Sequence, residues 1–458
     1  MLLKNLFMKI KFNNLLKGST ILSVPGILSI FISLLSIPIH LNYAGPENYG
    51  NYIIFHFILL IAVNFNFGIG KSTAISINNF PKKKKEVGFK SIIYTINIAL
   101  VIGVLFLLLY FLRTTFLYDY TEVYKFTSYF FLGSIITIFF VSFEGILQGN
   151  QKFKSISILN LFFFSFSISF PSILLFFNQN FSLENLISIS ILIKFLSVLI
   201  MFLIIKNGNL LKSSSSKILW NNLRKNGKWI TLNNTLIQFY ELFDKFLIKI
   251  FIGPVAVSFY SIPQQLTGKL SIISKSFSAY LLPNLSKKKI DNDSFNFSLE
   301  IFIKVIPIFI FLLFPLYPKI LSLWLGNSYI ENIYYLTKIF SLIAIFACAS
   351  HLLITKFEAS KTLNRNLKIE FLLIPFFLIA LYWLTKNNYS LLMISLLVLF
   401  KEFILFNFRL NLLKSELTYV KDYFLYSIYF LVILFFSFWR NDLYILSLVF
   451  LILSSLKK

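Results

Sequence analysis

Long apolar runs and short polar ones alternate along the whole chain. Fourteen apolar segments lie near 19–41, 51–70, 91–112, 125–147, 158–178, 184–205, 229–252, 255–282, 299–324, 332–355, 369–385, 388–408, 423–439 and 443–456. Apolar stretches of about 20 residues cross a hydrocarbon core as helices. The pattern therefore predicts an all-α polytopic membrane protein with about 14 transmembrane helices. The last segment is the shortest. The run beginning at Ser19 exceeds a signal-peptide core and has no small-residue cleavage site, so it reads as a retained helix.

Composition agrees. Of 458 residues, 57% are hydrophobic and 13% charged, whereas soluble domains carry about 25% charged residues. The heavy use of Phe, Ile, Lys and Asn has the look of an AT-rich genome, which discounts raw aromatic content. A net charge of +25 would suit a nucleic-acid partner, but the positions of the charges argue otherwise. With the N-terminus inside, thirty basic residues fall in inside segments, and three (Arg113, Lys386, Arg440) fall in outside loops. That is the positive-inside bias of a membrane protein. It does not invert anywhere along the chain, as it would after a miscounted span. It implies cytoplasmic N- and C-termini and no nucleic-acid partner. One cysteine, Cys348, and three histidines exclude internal disulfides and give no metal-site pattern. No cofactor is expected.

The stretch Asn66–Ser76, NFGIGKSTAIS, carries the Gly-Lys-Ser tail of a phosphate-binding loop. Phe65 stands where that motif needs its first glycine, and a membrane span leads into it. Gly70 then reads as the end of span 2, and Lys71 as the start of a cytoplasmic loop, a snorkelling anchor.

Two internal matches point to duplication. AGPENYGNY (Ala44–Tyr52) and IGPVAVSFY (Ile252–Tyr260) align Gly45/Gly253, Pro46/Pro254 and Tyr52/Tyr260. FEGILQGNQKFK (Phe143–Lys154) and FEASKTLNRNLK (Phe357–Lys368) align Glu144/Glu358 and Asn150/Asn364. Six spans separate the members of each pair, so the two halves run in parallel, with a site expected between them. The expected organisation is two parallel six-helix lobes around a central cavity plus a C-terminal helix hairpin. The boundaries are 1–206 for the first lobe, 207–228 for a basic cytoplasmic linker, 229–408 for the second lobe and 409–458 for the appended pair.

The block Asn226–Leu266, with Asp244, Gly253-Pro254 and Tyr260-Ser261-Ile262-Pro263, resembles the O-antigen and polysaccharide flippases of the multidrug/oligosaccharidyl-lipid/polysaccharide exporter superfamily. LNYAGPENYGNY, LQGNQKF and LSLWLGNSY follow in family order. Lys71 departs from an arginine frequent near that position, and a lysine offers phosphate a point charge without a fork. The resemblance implies a flippase moving an undecaprenyl-diphosphate-linked oligosaccharide across the bacterial cytoplasmic membrane by alternating access. It implies a monomer that is no enzyme, with membrane lipids, a polysaccharide polymerase and a chain-length regulator as partners. A multidrug or cation exporter of the same superfamily is the alternative. Lysine-rich spans argue against it, and short outside loops argue against an enzyme.

Ionisable residues inside a membrane are costly and mark functional sites. Lys194, Lys245, Lys269 and Lys401 lie deepest, about 10 to 21 Å from the nearer span end at 1.5 Å per residue. With Lys71 they are the candidate substrate-binding residues, holding diphosphate oxygens by charge-assisted hydrogen bonds. Other lysines, Lys338 among them, sit near span ends and read as snorkelling. Glu241, Lys245 and Lys249 share one face of span 7; the stripe either faces the lobe interface or closes on itself as a Glu241–Lys245 pair. Glu241, Asp244 and His56 are candidates for ion coupling or gating. Lys401 and Glu402 are adjacent, so at least one is expected to find a partner elsewhere. Pro307 and Pro315 suggest that span 9 is bent.

Overall fold

The computed structural model describes residues 2–62, 68–116, 127–213, 236, 239, 242–286, 292–360, 362–414, 417 and 420–439. Their regular structure is helical, with no strand. In chain order the helices are α1 Leu2–Ala62, α2 Ile69–Asn79, α3 Lys84–Phe116, α4 Thr127–Gly149, α5 Phe153–Leu174 and α6 Leu183–Asn207. Then come α7 at 242–251, α8 Pro254–Gly268, α9 Ser271–Ser286, α10 Phe295–Leu325, α11 Ile330–Ala359, α12 Leu363–Lys386, α13 Leu391–Leu412 and α14 Val420–Trp439.

Helices are the only open-chain element that satisfies every backbone N–H and C=O without water. Eight of the described helices are long and apolar enough to cross a membrane. The spans read from the sequence fall on helices wherever the residues are described. Segment 443–456 and the start of the seventh span lie outside the described residues.

The chain divides into two compact units, Phe31–Phe246, and Met1–Ile30 with Leu247–Lys458. In the first, α4 packs against α2, α3 and α6. In the second, α11 packs against α8, α9 and α13 and is the core helix. Its apolar stretch is 78% buried, against 22% for α12, so α12 turns most of its surface outward.

The duplicated Gly-Pro turn is visible in the backbone. Gly45 (φ 82°, ψ 165°) breaks α1 into two helices, and Gly253 (φ 114°, ψ 168°) caps α8. Each is followed by a proline, whose fixed φ suits a first helical position. Open space surrounds both glycines, so the positive φ, and not crowding, demands glycine. The paired tyrosines are both fully buried. Tyr52 donates to the Ile168 carbonyl at 2.8 Å, and Tyr260 meets the edge of Phe340. The second sequence match is one helical turn out of structural register. The equivalent turn hydrogen bonds are Lys152 N to Leu147 O and Thr362 N to Phe357 O, so Phe357 corresponds to Leu147 and not to Phe143.

Lys71 requires a correction. It lies on α2 and not in a loop, because the helix runs on to Asn79. The reason is glycine packing. A Cβ on Gly145 would stand on the Gly70 carbonyl, one on Gly70 would lie 2.6 Å from Val141 O, and one on Gly149 would meet Ile77. Gly70, Gly145 and Gly149 let the α2 and α4 backbones touch, as small residues do between membrane helices. The Gly-Lys-Ser tail thus serves a helix contact.

Span 9 is interrupted as its prolines suggest. In α10 a π-turn at Ile301–Val305 precedes Pro307, and a 3₁₀ turn at Phe314–Leu316 contains Pro315.

Candidate functional site

The four deep lysines divide into two kinds. Lys245 and Lys401 are neutralised by the acid next to them in sequence. Lys245 Nζ lies 3.2 Å from Asp244 Oδ1 and 4.3 Å from the Phe57 ring centroid, with both ionised groups buried. Lys401 Nζ lies 3.0 Å from Glu402 Oε1 and 5.0 Å from the Phe377 ring. The two adjacent residues pair with each other, and Lys401 also reaches a partner elsewhere, the Phe377 ring on α12. Their Cβ atoms diverge, but four methylenes let the ammonium fold back. In an apolar bundle an oppositely charged neighbour outweighs the rotamer entropy lost. Glu241 lies outside the described residues, so its pairing with Lys245 does too.

Lys194 and Lys269 are different. Among the described residues, no carboxylate lies within ion-pair distance of either. Lys194 is 3% exposed on α6 and points inside its own unit. Its Nζ sits 3.4 Å from the Phe163 carbonyl oxygen and 4.6 Å from that residue's ring. Phe163 lies in a π-turn, Leu161–Phe166, in the middle of α5. A π-turn disturbs the i→i−4 ladder, and this carbonyl accepts from the Ser167 hydroxyl as well as from Lys194. The helix defect gives the lysine its acceptor. His56 is buried with neither ring nitrogen hydrogen-bonded, and Lys194 acts on it as a like charge.

Lys269 is half-buried where α8 gives way to α9. Pro263 has no N–H for the turn before it, and the Thr267 hydroxyl bonds the Pro263 carbonyl at 2.9 Å. Leu270 N and Ile273 N then bond three residues back, to Thr267 O and Leu270 O. The span is tightened around Gly268 and Lys269, and Lys275 adds a like charge close to Lys269. Lys71 is half-buried on α2 and adds to the field at Glu144, whose carboxylate accepts from Asn160 at 2.8 Å.

Three buried arrangements escaped the sequence. On α12 and α13, Arg409 Nη2 lies 2.6 Å from Glu370 Oε1, Arg409 Nε donates to Asn366 Oδ1 at 2.8 Å, and Asn366 Nδ2 donates to Glu370 Oε1 at 2.8 Å. Arg409, just past span 12, counted among the inside basic residues, and Glu370, at the start of span 11, did not stand out. Lys338, expected to snorkel, is buried instead. It donates to the Ser437 carbonyl at 2.8 Å and lies 4.4 Å from the Tyr334 ring. Ser437 is in the last turn of α14, where carbonyls lack helical partners and the dipole favours a cation. His40 bonds both Ser172 and Asn48. Apart from the i, i+4 pair Asn366–Glu370, none of these partners is predictable from spacing. A lateral groove of about 640 Å³ runs along α13 and α14, lined by Phe403, Asn407, Phe408, Asn411, Lys414 and Phe424 among others. It holds none of the candidate lysines.

Known proteins place the chain. Residues 15–289 match the family described as polysaccharide biosynthesis protein, and the chain belongs to that family. It is 26% identical over 262 residues to a Shigella flexneri protein named "Putative O-antigen transporter". The alignment covers 54% of this chain and 60% of that protein, so the chain spans about three fifths of the relative's length. Solved structures of the multidrug and toxin exporter fold superpose over most of the chain. An inward-facing multidrug resistance transporter of the MATE family matches with a TM-score of 0.64 at 13% identity, covering 87% of this chain and 99% of its own. A Vibrio cholerae MATE transporter gives 0.59 at 11%, covering 87% and 98%. A Pyrococcus furiosus transporter of the same superfamily, described as having a binding pocket of reverse polarity, gives 0.55 at 11%, covering 87% and 98%. These establish the fold, and with the family match they bear out the flippase-family resemblance.

Proposed function

We propose that the protein is a flippase for a lipid-linked oligosaccharide of surface polysaccharide synthesis, with undecaprenyl diphosphate as the lipid carrier. The family match over 15–289 carries this reading. The chemistry of the tightened α8–α9 span supports it. Lys269 has no carboxylate partner among the described residues and has Lys275 beside it, so it favours an anionic group. A diphosphate carries about two negative charges and accepts charge-assisted hydrogen bonds from lysine. Two lobes rocking in the cytoplasmic membrane would let the headgroup cross while the polyprenyl tail stays in lipid. On this reading the N- and C-termini face the cytoplasm, and a polymerase consumes the product. The multidrug-exporter alternative rests on fold likeness alone.

The test is complementation. Deletion should abolish surface glycan and leave lipid-linked repeat units in the inner leaflet. Lys269→Ala, expressed at wild-type level, should weaken substrate binding roughly tenfold or more, the loss of one charged hydrogen bond. Normal glycan display in the deletion strain overturns the reading, and full export by Lys269→Ala removes that residue from the site.

A further inference from the structure

A polar column runs inside the first helical unit between α1, α5 and α6. At one end His40 Nε2 bonds Asn48 Oδ1 at 3.2 Å, and its Nδ1 bonds Ser172 Oγ at 2.8 Å. An amide oxygen accepts, so Nε2 donates to Asn48, while the serine hydroxyl, donor and acceptor alike, completes the second bond at Nδ1. Tyr52 follows, its ring 5.2 Å from His40 and 4.5 Å from His56, its hydroxyl committed to the Ile168 carbonyl. His56 comes next against the Tyr52 ring, and Lys194 reaches the same α5 wall at the Phe163 carbonyl, five residues before the Ile168 carbonyl that Tyr52 holds.

His40 and His56 are both buried histidines, yet their situations are opposite. His40 has both nitrogens satisfied. His56, 4% exposed, has neither. Lys194 has three donors, one long hydrogen bond and one aromatic face. An unsatisfied buried imidazole and an uncompensated buried ammonium are each costly. Their occurrence together, about 15 Å along the helix from Pro46 and about 17 Å from Leu183, is not what packing alone selects. The titratable groups that act on His56 are Lys194 on α6 and His40 on its own helix. Tyr52 meets it ring to ring. The α5 wall contributes the Ser167 and Ser172 hydroxyls and the Phe163 and Ile168 carbonyls, none of which titrates. On the α4 side, Phe130 covers the neighbouring Phe55.

We propose that His56 and Lys194 form a proton-binding site with no carboxylate, in which two buried bases hold one proton between them. A first proton enters from water and rests on either base. Like-charge repulsion in low dielectric opposes a second. No covalent bond other than N–H forms or breaks. If the protein transports as proposed above, loading of this site is a coupling step, because a movement that hydrates the column admits the second proton. Only that last clause rests on the flippase reading.

Three histidines in the chain make histidine-selective ¹⁵N NMR of the full-length protein in nanodiscs tractable, with the His56 signal assigned by its loss in His56→Gln. The His56 resonance should change protonation state within the pH range over which the protein stays folded. In Lys194→Met, or in Lys194→Gln if that variant folds better, the transition should move to higher pH by about one unit or more. In Lys194→Arg, which keeps the charge, it should stay near its wild-type place. Absence of any transition in the wild-type protein overturns the proposal without need of a variant. An unchanged transition on loss of the Lys194 charge overturns it as well. Because the readout is titration, it holds or fails whatever molecule is transported. Loss of pH-dependent export in His56→Gln would tie the site to transport.

Discussion

The Asn366–Glu370–Arg409 cluster gives the sharpest stability prediction. Glu370 is fully buried, Arg409 is 3% exposed, and their charged atoms stand 2.6 Å apart. Asn366 bridges both with two further hydrogen bonds of 2.8 Å. Exposed ion pairs contribute about 0–1 kcal/mol. Here, removing one partner strands a charge that water does not reach, at a cost of about 3–5 kcal/mol. Arg409→Met and Glu370→Met should each destabilise the second unit by that amount. At about 2–4 °C per kcal/mol for domains of this size, the melting midpoint should fall by roughly 6–20 °C. The double variant should recover much of the loss, since replacing a whole buried pair by apolar groups is often neutral. The assay is a double-mutant cycle on purified full-length protein, read by intrinsic fluorescence against temperature or denaturing detergent. Single variants that lose less than about 1 kcal/mol, or a double variant equal to the sum of the singles, would refute the reasoning and mean that water solvates the cluster.

The glycines should separate by mechanism. Gly145→Ala forces α2 from α4 and should cost about 1–3 kcal/mol as an overpacking change, with less folded protein in membranes. Gly45→Ala meets no atom, but φ 82° with ψ 165° is a region essentially only glycine adopts, and the backbone strain should cost about 1–3 kcal/mol; a loss within about 0.5 kcal/mol, as for an unconstrained surface site, would contradict this. Lys338→Met removes the cation from the end of α14 and should cost up to about 2 kcal/mol, with faster proteolysis of the α14 region. Lys338→Arg should preserve most of that protection, and cleavage as fast as in the methionine variant would tell against a charge at the helix end.

Much of this protein is set locally and is legible in the order of its residues. The spans follow from apolar length, because a backbone in hydrocarbon must close its own hydrogen bonds. The Gly-Pro turns follow from backbone sterics, which is why Gly45 and Gly253 adopt nearly the same conformation 208 residues apart. The depth of each lysine follows from the rise of the helix. Rotation about the helix axis does not follow, because these helices are apolar on nearly every face and no stripe marks the inside. Tertiary packing therefore decided that Lys338 turns inward to Ser437, 99 residues away, and that Arg409 meets Glu370, 39 residues away. It also decided that Lys401 folds back onto Glu402, while a π-turn in α5 offers Lys194 a carbonyl in place of an acid. Depth is a property of one helix, whereas the partner of a buried charge belongs to several helices packed together.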